Sequence, residues 1–319
     1  MDSNELELVR TSVQHLVAHC TPATFTTDLA DMGWADLYAA EAAAAVTVLA
    51  DEVGHAAAAA PLLGVVLAHA LGLTGTVVLP PLARGTAPAW SGVVAGSDLA
   101  VNGLLEPGSD GDTLFVPTAA GVVQLPAGSL FVHATGAGDP TLGLRKVSGL
   151  VPNGPVVASA QQWVAALAIG RRALASALAG LAARMLHDAT EYVKVRQQFG
   201  RPIGSFQTVK HRLADVHVAI TAARAGTATA WGDDDEWSSI AALCLATKAS
   251  RLAATHCHQV HGGIAFTAEH GFHTLIRRGQ SWLGLLGHPD DLTRLLGEHL
   301  VAHSVVPRTP QLTLATHHG

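Results

Sequence analysis

Cysteine is scarce in this chain: three among 319 residues, at Cys20, Cys244 and Cys257. An odd, widely scattered set of three makes no disulfide framework and points to a reduced, cytoplasmic setting. Charge is also sparse, at 14% of residues with a net −6. No basic stripe exists for nucleic acid, so partners of that kind are excluded. The first residues, MDSNELELVR, lack the basic and apolar regions of a secretion leader. The apolar stretch 155–186 is interrupted by Gln161, Gln162, Arg171 and Arg172, so no membrane span is expected. What is abundant is apolar residues, at 49%. That is ample for a large core and leaves apolar surface over for contacts between subunits.

The pattern changes twice along the chain. Residues 1–74 read as a helical domain, rich in strong helix formers with apolar residues at helical spacing. Residues 75–156 hold short β-branched or apolar runs (TGTVVL, WSGVVA, LAVNGLL, TLFVPT, GVVQL, SLFVHA) separated by turn clusters such as EPGSDGD and GAGDP. That spacing predicts a small β domain. Residues 157–306 are helical again: one long helix from Ser159 to about Gln198, helices at about 205–230 and 237–260 separated by WGDDDEW, and a last helix opening at Pro289. Residues 307–319 read as a loose tail. The expected fold is mainly α with a small β domain.

The stretch EYVKVRQQFGRPIGSFQTVKHRLADV, residues 191–216, reads by itself as a helix end, a Gly/Pro loop and a new helix. Gly200 suits the helix stop, and Arg196 sits where the helix dipole favours a cation. The stretch HCHQVHGGIAFTAEH, residues 256–270, ends a helix at paired glycines and is followed by HTLIRR. The pairs R-x-x-F-G with P-I-x-x-F-Q, and Q-x-x-G-G with the basic residues after it, resemble the signatures of the acyl-CoA dehydrogenase family, in that order and at a similar separation. The front of the chain is also similar, through its Gly-Trp turn, Glu-Val-Gly helix and Pro-Leu-Leu segment. The resemblance implies an N-terminal helical domain, a reduced middle β domain and a C-terminal four-helix bundle.

In that family FAD lies across a subunit interface. The resemblance therefore implies that Arg196, Phe199, Gln207, Gln259, Gly262 and Gly263 reach the adenosine–pyrophosphate half of a flavin held mainly by a neighbour. The chemistry suits them. A guanidinium neutralises pyrophosphate and can bond it with two N–H groups. Paired glycines let backbone approach a cofactor closely.

The reaction of the family removes an α-proton with a carboxylate while the β-hydrogen leaves as hydride. Counted from the basic pair Arg277 and Arg278, one usual position of that carboxylate is Leu286. The other, counted back from Phe199, is Gly170. Neither can take a proton, so no catalytic residue is assigned. Asp188 and Glu191, near the helix end, read as surface groups. EPGSDGD reads as a turn, and the family's flavin-ring segments have no convincing counterpart. Interface-facing elements are kept while those of a self-contained site are missing. This resembles the short subunits of heteromeric acyl-CoA dehydrogenases associated with bacterial steroid degradation, in which a full-length partner brings the Glu. Such a halved site has room for a bulky acyl group.

The implied partners are that subunit in an α2β2 assembly, an acyl-CoA and an electron-transfer flavoprotein. The rivals are a self-sufficient homo-oligomer with a displaced base, and a scaffold without enzymatic activity. Other chemistries have less support. His256, Cys257, His258 and His261 lack a second ligand pair at zinc spacing, so no metal site is assigned. WGDDDEW lacks the spacing of a calcium loop. Ser205 and Ser281 have no nucleophile partners, and no phosphate loop is present.

Overall fold

The computed structural model describes residues 2–82, 90–109, 111–135, 138–233, 235–267 and 270–303. The tail expected at 307–319 lies outside them. Helices α1 (Ser3–His19), α2 (Phe25–Asp31), α3 (Trp34–His55) and α4 (Leu62–Leu71) come first. The start of α1 follows from a capping box, in which the Asp2 carboxylate accepts from the amides of Asn4 and Glu5 while Glu5 reaches back. Gly33, at φ 81°, makes the left-handed turn that sends Trp34 into the core.

Eight strands follow: β1 (Thr76–Val77), β2 (Gly92–Ala95), β3 (Asp98–Leu105), β4 (Thr113–Thr118), β5 (Gly121–Pro126), β6 (Phe131–Ala134), β7 (Arg145–Pro152) and β8 (Val156–Ala158). They form two four-stranded sheets, ordered β1-β4-β5-β8 and β2-β3-β7-β6. Leu99, Val101 and Val147 from one sheet share a small core with Leu114, Val116 and Val123 from the other. Strands β7 and β8 escape the sequence reading because RKVSGLVP alternates poorly and VVA is short.

The second helical part is built on α5 (Ala160–Val195), which opens with a Ser159/Gln162 capping box. At about 1.5 Å per residue its 36 residues span about 54 Å. It packs against α3, α4, α6 (Gln207–Asp233) and α7 (Glu236–His261). It is long and apolar enough to cross a membrane by length and composition, but 83% of its most apolar window is buried inside the fold, so it is the axis of the bundle. The break between α6 and α7 is far shorter than WGDDDEW implies. Trp231 still belongs to α6, and Asp235 caps α7 by accepting from the Ser238 amide at 2.6 Å. Helix α8 (Phe272–Trp282), not foreseen as an element, and α9 (Pro289–His303) are the last elements among the described residues.

Polar ties join the parts. Asp51 and Glu52 of α3 meet Arg10 of α1, and Asp51 also accepts from Arg224 of α6 at 2.9 Å. Buried Arg278 of α8 bonds Asp139 at 2.6 Å, Thr141 at 3.1 Å and the carbonyl of Ala57. The carboxylate of Glu106, at the end of β3, accepts from the amides of Leu63 and Gly64 at 3.2 and 2.5 Å. It thus caps the first turn of α4, where the helix dipole favours an anion.

Candidate functional site

Helix α5 stops at Val195 because Arg196 leaves the helix for an extended conformation (φ −70°, ψ 120°). The segment after it is not a loose Gly/Pro loop. Strands β9 (Gln197–Gln198) and β10 (Arg201–Pro202) form a two-residue hairpin, with Gln198 opposite Arg201 and Gln197 opposite Pro202. Phe199 and Gly200 make its turn with φ of 52° and 75°. Two positive φ values in succession match the twist of a hairpin, so Gly200 is a turn residue here and not a helix stop. Phe199 is 92% exposed. A short 3-10 segment, Ile203–Ser205, then leads into α6, whose first residue is Gln207.

At the same end of the bundle α7 finishes at His261. Gly262 caps it at φ 65°, and a Cβ on Gly262 or Gly263 would meet nothing within 4 Å. The Tyr192 ring in the last turn of α5 stacks on His261, centroids 4.8 Å apart, and so ties the hairpin to the Gly-Gly turn. Arg196, Phe199, Gln207, Gln259 and Gly263 are all exposed, and Gly262 is half-buried. Thus the six residues sit at one end of the bundle on two adjoining junctions. Neither Arg196 nor Arg201 forms an ion pair among the described residues. Two guanidinium groups without ion-pair partners among the described residues, an exposed aromatic ring and an open Gly-Gly backbone fit an anionic dinucleotide.

The two positions where the family places its carboxylate are far apart in sequence but meet in space. A Cβ on Gly170 would lie 3.0 Å from Cδ1 of Leu286 and 2.9 Å from Cδ2 of Leu67. Leu286 is buried, with φ 58°, and its carbonyl accepts from Nε of Arg171 at 3.3 Å. Arg171 is anchored in turn by Glu236 at 3.0 Å. Leucine side chains therefore close the space around Gly170. Asp188 and Glu191 are engaged elsewhere, with Arg184 at 2.9 Å and Lys194 at 2.6 Å.

A cavity of about 490 Å³, with no signature in the sequence, lies behind the Gly-Gly turn, lined among others by Arg184, Tyr192, His261, His270, Phe272 and Arg278. His261 Nδ1 lies 2.7 Å from the carbonyl of Cys257, and its Nε2 has no hydrogen-bond partner among the described residues. Burial and the neighbouring histidines hold its pKa below the ordinary value. Burial also pushes the Cys257 thiol up to about 12, which makes it inert. No group of three or more metal-ligating side chains occurs among the described residues.

Residues 161–287 match the family described as acyl-CoA dehydrogenase, C-terminal domain. Acyl-CoA dehydrogenase IpdE2 of Mycobacterium tuberculosis is 34% identical over 259 residues, which cover 78% of this chain and 75% of that relative. The chain belongs to the acyl-CoA dehydrogenase family. These are oxidoreductases that act on acyl-CoA. Among solved structures, the fold matches the Tcur3481–Tcur3483 steroid acyl-CoA dehydrogenase with a TM-score of 0.79 and 23% identity, over 94% of this chain and 99% of that one. It also matches the ChsE4–ChsE5 complex from Mycobacterium tuberculosis with a TM-score of 0.73 and 23% identity, over 94% and 98%. The fold expected from the sequence, mainly α with a small β portion and of acyl-CoA dehydrogenase type, is the fold found.

Proposed function

We propose that this chain is one subunit of a heteromeric, FAD-dependent acyl-CoA dehydrogenase that introduces an α,β double bond into an acyl-CoA. The observation that carries the reading is the contrast between its two ends. Both carboxylate positions are filled by apolar contact between Gly170, Leu67 and Leu286, whereas Arg196, Phe199, Gln207, Gln259 and Gly263 stand exposed. A partner subunit of full length supplies the Glu and the flavin-ring pocket. This chain supplies Arg196 and the Gly262–Gly263 backbone to the adenosine–pyrophosphate half, with Phe199 covering an apolar face. When bound, the flavin's chemistry is to accept the β-hydride as the α-proton leaves to the partner's carboxylate.

The likeness to the steroid dehydrogenase supports a bulky, steroid-derived acyl group. An electron-transfer flavoprotein is the proposed acceptor and the cytoplasm the proposed location. The test is co-expression with a full-length acyl-CoA dehydrogenase subunit from the same organism, followed by measurement of flavin per pair. We expect one FAD per heterodimer, none on the lone chain, and clear loss of flavin in Arg196→Ala. A stoichiometric flavin on the lone chain would favour a self-sufficient enzyme. Unchanged flavin in Arg196→Ala would favour a scaffold.

A further inference from the structure

We propose that Arg201, stacked on Phe206, is a second cation of the cofactor grip, so that Arg196 and Arg201 together engage the diphosphate of the dinucleotide. This rests on the reading that the hairpin end of the bundle receives a flavin. The register decides which side chains act together. Arg201 lies directly opposite Gln198, and directly opposed residues in an antiparallel pair project to one face. Arg196 precedes Gln198 by two residues and shares that face. A diphosphate carries about two negative charges in neutral water, and a single guanidinium leaves half of that unmatched.

Arg201 is also held in place before any ligand arrives. Its guanidinium carbon lies 4.2 Å over the Phe206 ring. Phe206 meets Phe199 edge to face, with centroids 6.1 Å apart. The order Arg201, Phe206, Phe199 is therefore a continuous stack from the ladder to the exposed turn. The Phe206 amide donates to the Ile203 carbonyl at 3.1 Å, and the Ile203 amide donates to the Arg196 carbonyl at 2.8 Å, which closes the loop on the first cation. A flexible side chain fixed by a ring loses less freedom on binding. Phe206 is thus a positioning residue, and Arg201 a binding residue.

The complex with its full-length partner subunit, stripped of flavin, is titrated with FAD at two salt concentrations, with size exclusion as a check on assembly. Arg201→Gln should weaken FAD about tenfold or more and flatten the salt dependence, because one charge-assisted contact is gone. Arg201→Lys should recover only part, since an ammonium neither stacks flat nor forks. Phe206→Ala should weaken FAD in the parent protein but add little to Arg201→Gln, and Phe206→Tyr should restore it. Normal affinity in Arg201→Gln beside lost affinity in Arg196→Gln overturns the inference and leaves the functional reading standing. Normal affinity in both variants overturns the two together. Additive losses in the double variant remove Phe206 from its positioning role.

Discussion

At the scale of single residues, Glu106 is the side chain whose behaviour is least expected from its neighbours in sequence. Burial pushes its carboxyl up to about 7, although the amides of Gly64 and Leu63 pull the other way. Unfolded, the same group titrates near 4.5. Between these values the native state holds a proton that the unfolded chain has released. Stability from this group is therefore full below about pH 4.5 and is lost as the pH rises through about 7. The gap corresponds to about 3 kcal/mol. Glu106→Gln should flatten the fall in stability between pH 5 and 8, measured by urea unfolding at each pH. An unchanged slope would remove Glu106 as its source. Asp139 makes a different kind of buried contact, since its carboxylate faces Arg278 with both side chains at or below 5% exposure. Asp139→Ala should cost about 3–5 kcal/mol, because it strands a buried guanidinium. Thermal melts check this.

At the scale of elements, α3 and α5 cross with their backbones in close contact. A Cβ on Gly54 would lie 2.0 Å from the carbonyl oxygen of Ala177, and one on Gly180 would lie 2.1 Å from that of Asp51. In an exposed helix, glycine to alanine gains about 1 kcal/mol. Here the obstruction is backbone, which cannot rotate away, so the sign reverses. Gly54→Ala and Gly180→Ala should each lose more than about 2 kcal/mol, as overpacking does, while Gly297→Ala on α9, with open space around it, should not. Equal melting points for all three would refute the close crossing. Elements were legible where the pattern was long. The 36 residues of α5 and the six clearest strands announce themselves by period and by caps. The hairpin at 197–202 did not, because two paired residues on each side leave no alternation to read. Helix α8 was hidden by the glycines around it and its short length. In the site, Arg196, Phe199 and the paired glycines were legible as motif. The meeting of Gly170 with Leu286, and of Arg201 with Phe206, depends on folding and on register. The value of Glu106 was masked because EPGSDGD has the composition of a turn, and only the docking of α4 turns its carboxylate into a cap.

At the scale of the whole molecule, the proposed heteromer asks opposite things of the two halves of α5. The Arg196 end is open and charged, so it gains from being covered. Where α5 passes Gly170, Leu67 and Leu286 close in, and on the proposed reading that stretch holds no acyl chain. A pair of unlike subunits should therefore bind one acyl-CoA and one FAD, and not two of each. Isothermal titration of the complex with a non-reacting thioether analogue of an acyl-CoA gives the count directly. We expect one site per pair, and the same count after Leu286→Ala. That change opens a cavity and should cost about 2–5 kcal/mol of stability, but it brings neither a carboxylate nor a flavin-ring pocket. Two equivalent sites per pair would mean that the leucine contact yields to substrate and that this chain holds an acyl group of its own. One site that disappears when the partner's carboxylate is replaced by an apolar residue, but survives Glu→Gln there, would locate the acyl chamber in the partner.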